Sequence, residues 1–286
     1  MLVHARQIIN NAYRRQQAVV AFNTINAETT WAIARAASIV KAPTLFEISE
    51  KTIHYLGLDT VVALVKSISN DKSIKVPLAM HLDHGHSFAM AAACVQAGFS
   101  SVMIDASALP FAGNVRLTKR VVEYAHKHHV IVQGEIGALQ PAKGKKSLRV
   151  ARDLMTDPVQ AREFVKLTKV DTLGVAVGTL HGPMKIFHKL PKIDFPRLKA
   201  IHELTKIPLV LHGASGVPAG DLRRASKLGV AVINIDTELR LSYLKSLKHE
   251  LKQQPQEYDP RVIFSPVVDA LTETAVRKLR SLRIKR

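Results

Sequence analysis

The run Val76-Pro77-Leu78-Ala79-Met80-His81-Leu82-Asp83-His84-Gly85 is apolar and then ends abruptly in ionisable groups. Successive side chains of a strand point to opposite faces, so Asp83 and His84 cannot both enter one pocket while the strand stays regular. They must sit where the strand ends, with Gly85 supplying freedom for the turn. The same ending recurs: LGVAVGTLHG closes on His181-Gly182 and IPLVLHG on His212-Gly213. Chance placement of 13 His and 14 Gly in 286 residues gives roughly one His-Gly pair or fewer. Three imidazoles are a common protein contribution to a catalytic zinc site, which keeps a fourth position open for water or substrate. The pattern therefore proposes His84, His181 and His212 as metal ligands.

Apolar strand-like runs alternate with amphipathic helical stretches along the whole chain, which is the pattern of repeated β-α units. Strands are expected at 18–23, 43–49, 76–85, 101–105, 130–137, in TLGVAVGTLHG, in PLVLHG and at 230–236. Helices are expected between them: one capped by Asn26, one stopping near Gly98, and one over 157–168 with Pro158 in its first turn. The long connection is roughly residues 138–156. Eight such units fit a single α/β domain over residues 1–286, a (β/α)8 TIM barrel with an N-terminal helix and a short helical C-terminal appendage from about Pro255.

The composition narrows the partners. No apolar run approaches the roughly 20 residues needed to span a bilayer, and MLVHARQIINNAYRRQQ reads as an amphipathic helix rather than a signal peptide. A soluble, cytoplasmic protein is expected. The single cysteine, Cys94, excludes an intramolecular disulfide, and its neighbours AAACVQAG place it buried on a helix. With 41 basic against 23 acidic residues, the net charge of +18 favours anionic partners. Aromatics make up only 5% and no zinc-finger or RNA-recognition pattern appears, which argues against specific nucleic-acid binding.

In such a barrel the site lies at the carboxyl ends of the strands. Asn23, Ser49, Asp83, His84, Asp105, Glu135, His181, His212, Asn234 and Asp236 all fall there. A phosphate site at the ends of strands seven and eight is also usual, and HGASG (212–216) with INIDTE (233–238) supplies backbone N–H groups, Ser215 and Thr237.

With HLDHG, SVMIDAS, GTLHG, LVLHGASG and INIDTE in this order, and EYDPR (257–261) late in the chain, the sequence resembles the class II zinc-dependent ketose-bisphosphate aldolases over nearly its full length. That family contains the fructose-bisphosphate and tagatose-bisphosphate enzymes. The resemblance implies zinc on His84, His181 and His212, Asp83 as catalytic acid/base, and Asn234 holding the enediolate. Asp105 and Glu135 resemble carboxylates that support the metal or bind it alternately. Asn23 and Ser49 resemble substrate contacts, and Gly182, Gly213, Ser215, Asp236 and Thr237 resemble the surroundings of the substrate phosphate, with a monovalent cation (Na+ or K+) often nearby. The implied reaction is reversible cleavage of fructose or tagatose 1,6-bisphosphate to dihydroxyacetone phosphate and glyceraldehyde 3-phosphate by a homodimer or homotetramer.

Two departures stand out. The family's fifth-strand motif carries two glutamates, whereas Gln133 takes the first place here and only Glu135 remains. The following flap, usually acidic, reads ALQPAKGKKSLRVARD, and Lys143, Lys145, Lys146 and Arg149 form a candidate anion-binding flap. A flap-altered relative acting on another phosphorylated ketose, and a non-catalytic sugar-phosphate- or nucleic-acid-binding protein, are the alternatives these departures leave open.

Overall fold

In the computed structural model, which describes residues 1–137, 154–180, 182 and 192–282, the apolar runs become eight parallel strands closed into a barrel in sequence order. They are β1 (Val19–Asn23), β2 (Thr44–Ser49), β3 (Leu78–Gly85), β4 (Ser101–Ile104), β5 (Ile131–Ile136), β6 (Thr172–Val175), β7 (Leu209–Leu211) and β8 (Val230–Ile235), with β1 pairing both β2 and β8. The (β/α)8 TIM barrel expected from the alternation is thus the observed fold. Strands β6 and β7 are shorter than their apolar runs: Val177 and Thr179 stay buried after the chain has left the sheet. Hydrophobicity records burial, and burial here outlasts pairing.

The helices follow from local chemistry. Helix α1 (Ala5–Arg14) buries Ala5, Ile8 and Ile9, one stripe of its surface, against Val19, Ala21, Leu45, Ala79, Ile131 and Val210 at the amino-terminal mouth of the barrel. Helix α2 (Ala27–Val40) starts with a capping box in which Asn26 Oδ1 accepts from the Thr29 N–H and Thr29 Oγ1 accepts from the Asn26 N–H. Helix α3 (Glu50–Leu56) was not expected from the sequence; Ser49 Oγ accepts the Thr52 N–H at 3.2 Å and starts it directly at the end of β2. Then come α4 (Leu58–Ser69), α5 (Phe88–Gln96), which buries Cys94, and α6 (Phe111–Lys127). Asp157 caps α7 (Pro158–Thr168) through the Gln160 N–H at 2.8 Å. The remaining helices are α8 (Phe195–Thr205), α9 (Ala219–Lys227), α10 (Thr237–Gln253) and α11 (Pro260–Leu282).

The C-terminal appendage is helical as expected, but it is neither short nor peripheral. Helix α11 packs along α2 and α10 and buries Val267, Leu271, Ala275 and Leu279. Its apolar positions recur every three to four residues, so the chain folds it back as part of the outer helical layer. No described helix is long and apolar enough to cross a membrane.

Most of the core lies between strands and helices, where Phe22, Phe46, Phe99 and Phe164 are fully buried. Phe164 of α7 lies on Gly134 of β5, where an added Cβ would stand 2.7 Å from its ring. The glycine admits the ring, and burying a side chain of that size contributes about 1.5–3 kcal/mol. Phe164→Ala is expected to cost about 3–5 kcal/mol in urea unfolding. Gly134→Ala is expected to destabilise by about 1–3 kcal/mol through overpacking. A cost below about 1 kcal/mol for both would show that this contact does not secure β5.

Candidate active site

Strand β3 resolves the conflict between Asp83 and His84 by becoming irregular. Its register against β4 shifts between Leu82 and Gly85, and His84 takes φ 47°, a left-handed conformation that costs an L residue roughly 1–2 kcal/mol. This kink turns Asp83 and His84 to the same cavity, whose volume is about 680 Å³ and which opens at the carboxyl ends of the strands. Asn23, Ser49, Asp105, Glu135, His212 and Asn234 line it as well. Gly213, Ser215, Asp236 and Thr237 complete one side. His181 and the basic residues Lys143, Lys145, Lys146 and Arg149 lie outside the described residues. Gly182 is described, with φ 116°.

The carboxylates are tied in an ordered way. Asn23 Nδ2 donates to Asp83 Oδ2 at 2.7 Å, while Asp83 Oδ1 is buried without a hydrogen bond and lies 3.7 Å from His84 Nε2. His84 Nδ1 is 2.7 Å from Asp105 Oδ2, and Asp105 Oδ1 accepts from the N–H and Oγ of Ser107. His212, 1% exposed, sits with Nε2 2.8 Å from Gln133 Nε2 and 3.7 Å from Glu135 Oε2. Its Nδ1 is 3.2 Å from Asn234 Nδ2. Two donor sets therefore converge, Asp83 with His84 and His212, and His84 with Asp105 and Glu135, each with ligand atoms within 4.8 Å of one another. Nitrogen and carboxylate donors at this spacing, with the Asp83 and Glu135 oxygens left over, suit a divalent cation such as zinc.

Burial and charge divide the acids into two kinds. Burial alone would raise every carboxyl pKa, but His84, His212 and the Asn23 hydrogen bond hold Asp83 below its ordinary value. Asp105 is likewise held down by its hydrogen bond with His84 and by Ser107. Glu135 goes the other way; burial, with Asp105 and Asp83 nearby, outweighs the charge of His84 and pushes it up to about 8. Burial opposes charge on His84, yet Asp83, the Asp105 hydrogen bond and Glu135 outweigh it and raise it to about 10.

On the opposite side of the mouth, the loop after β7 meets the start of α10. Gly213 has φ 64°, and a Cβ there would stand 2.7 Å from the Leu180 carbonyl oxygen, so the close passage of the two loops requires glycine. Glu238 fastens this corner: its Oε1 accepts the Gly216 N–H at 2.8 Å and meets Lys278 of α11 at 2.7 Å. Asp236 makes no side-chain cap to α10; in the first turn the Glu238 N–H donates to Ser215 Oγ at 3.4 Å, and the Leu239 and Arg240 N–H groups donate to the Asp236 carbonyl. Its carboxylate instead pairs with Arg240 at 2.6 and 2.7 Å. Arg240, Lys51, His54 and His86 also line the cavity and were missed from the sequence. Arg240 was detectable, being four residues after Asp236 at the start of a helix.

The His84–Asp105 pair sets a pH dependence in the metal-free protein. An unfolded histidine titrates near 6.5, so the stabilisation from holding the folded group at about 10 is complete below about pH 6.5 and is lost as pH rises through about 10. Asp105→Asn should lower unfolding free energy by about 1–3 kcal/mol at pH 6, with the gap narrowing towards pH 10. Chemical denaturation across that range checks it, and a gap independent of pH would contradict it.

With this geometry in place, the relatives become informative. The family model for class II fructose-bisphosphate aldolase matches residues 3–285. The chain is 42% identical over 281 residues to a fructose-bisphosphate aldolase of Geobacillus stearothermophilus, covering 98% of this chain and 96% of that one. It is 40% identical, with the same coverage, to a probable fructose-bisphosphate aldolase of Bacillus subtilis. The crystal structure of the YdjI aldolase from Escherichia coli K12 superimposes with a TM-score of 0.84 at 30% identity, over 99% of this chain and 97% of that one. The chain therefore belongs to the class II fructose-bisphosphate aldolase family and is a lyase of the aldolase type.

Proposed function

We propose that this protein is a zinc-dependent aldolase that reversibly cleaves fructose 1,6-bisphosphate, ahead of its tagatose epimer, into dihydroxyacetone phosphate and glyceraldehyde 3-phosphate. The observation that carries the reading is the convergence of Asp83, His84 and His212 on one cavity whose far side is lined by Gly213, Ser215 and Thr237 at the start of α10. His84 and His212 would hold the zinc, with His181, outside the described residues, as third ligand. When bound, zinc supplies Lewis-acid stabilisation of the negative charge that develops on the carbonyl oxygen.

The residues of the chain supply the proton and the grip. Asp83 is ionised, with Oδ2 fixed by Asn23 and Oδ1 uncommitted, so Oδ1 takes the proton from the C4 hydroxyl in cleavage and returns it in condensation. Asn234 offers its amide N–H to the oxygen anion forming on the three-carbon fragment. Ser49 and Asn23 line the side where the sugar would lie, and Gly213, Ser215 and Thr237 the side where its phosphate would lie; Gly182 is assigned to the phosphate by family resemblance. Arg240 and Lys51 add positive charge at that end, with Asp236 orienting Arg240, and a monovalent cation (Na+ or K+) is proposed from the family resemblance alone. Asp105 orients His84, and Glu135 offers a carboxylate to the metal region. Leu241, Leu244 and Leu251 are exposed on α10 at helical spacing, an apolar stripe suited to a second copy in a homodimer or homotetramer.

Cleavage of the two bisphosphates followed in parallel by triose phosphate release, with zinc-loaded protein, tests the reading. Fructose 1,6-bisphosphate should be cleaved faster, and Asp83→Ala should lower kcat about 10²- to 10⁴-fold. Cleavage of neither sugar, with salt-sensitive polynucleotide binding instead, would favour a binding role.

A further inference from the structure

The buried imidazole of His212 lies between two side-chain amides. Its Nε2 is 2.8 Å from Gln133 Nε2, and its Nδ1 is 3.2 Å from Asn234 Nδ2. An amide nitrogen only donates, and a neutral imidazole carries one N–H and one lone pair, so the ring cannot accept from both sides. A doubly protonated ring would need an oxygen on each side. At least one amide therefore presents its oxygen to the ring, and because amide nitrogen and oxygen have nearly the same shape, the surrounding network decides which.

The two amides are placed differently. Asn234 lines the cavity with His212, whereas Gln133, 2% exposed, sits below it on β5, two residues before Glu135 and on the same inward face. Turning the Asn234 amide would put an N–H where Oδ1 now lies, a buried position without a hydrogen-bond partner among the described residues. Buried N–H groups tolerate that less well than buried oxygens. Asn234 thus keeps its N–H on Nδ1. Turning Gln133 instead gives up a 3.3 Å contact with Met103 Sδ, a weak acceptor that also meets the His84 N–H at 3.4 Å. Gly174 of β6, paired with Glu135, makes room for this side chain: a Cβ there would stand 3.3 Å from the Gln133 amide nitrogen and 3.1 Å from Glu135 Oε2.

We infer that Gln133 is a positioning residue: its amide oxygen accepts the His212 Nε2–H and so fixes the tautomer whose Nδ1 lone pair lies on the cavity side. A histidine that ligates a metal commonly donates its other ring N–H to such an acceptor, which sets the orientation of the ring. The consequence for metal binding rests on the zinc reading above; the tautomer itself does not.

The tautomer is read without turnover. In metal-free protein carrying nitrogen-labelled histidine, the His212 ring nitrogens, identified by their loss in His212→Ala, should show a protonated Nε2 and a bare Nδ1 at about pH 8. Gln133→Glu, which keeps an oxygen in that place, should show the same pattern, and Gln133→Met should populate both tautomers. Zinc affinity, measured by competition with a chelator, should fall about 10- to 100-fold in Gln133→Met and drop by no more than about threefold in Gln133→Glu. A protonated Nδ1 in the unsubstituted protein, or a Met variant that binds zinc as tightly as that protein, would overturn the inference. The expected tautomers without zinc binding, or with zinc binding but no cleavage of either bisphosphate, would count against the aldolase reading alone.

Discussion

Closing eight parallel strands into a barrel forces their carboxyl ends into a ring, and this ring brings Glu47, Asp83, Asp105 and Glu135 together with His84 and His212 in one largely buried region. Four carboxylates cannot all stay charged there. The resolution is a division: Asp83 and Asp105 keep their charge beside His84, while Glu47 and Glu135 are pushed towards the neutral form. One acid is thereby ready to accept a proton and two are able to donate hydrogen bonds. The left-handed turn at His84 makes the division possible, because it is what places an acid and an imidazole from neighbouring positions in the same cavity.

The rest of the molecule holds that ring in shape. Helix α1 fills the opposite mouth with Ala5, Ile8 and Ile9, so the barrel interior is packed below the polar layer. Ser49 ends β2 and starts α3 with one hydroxyl, coupling a cavity residue to a helix cap. Glu238 binds the loop after β7 and, through Lys278, the C-terminal helix, so that helix α11 supports this corner of the cavity mouth as well as the outer layer.

Much of this is written in the sequence because strand ends are marked by chemistry. Apolar runs closing on Asp-His-Gly or His-Gly announced β3 and β7 and their site residues, and alternation announced the eight-fold repeat. What escaped detection depends on partners distant in sequence. Glu47 is hidden in an apolar run, and only register with Asn23 and His81 reveals that it faces the site. Gln133 appeared as a departure from a family pattern, whereas in the structure it lies 2.8 Å from His212 Nε2. Asp236 is expected from the sequence beside a substrate phosphate, and the structure adds that both its oxygens accept from Arg240, four residues further along α10. The apolar content of TLGVAVGTLHG overstated β6, since residues after Val175 are buried in the loop layer instead of paired.

The most direct measurement is zinc bound per chain and the rate of bisphosphate cleavage, followed together through chelation and re-addition of zinc. The account predicts about one zinc per chain, with metal and activity lost and regained in proportion, and both greatly reduced in His212→Ala. Undiminished cleavage by protein stripped of its metal would contradict it.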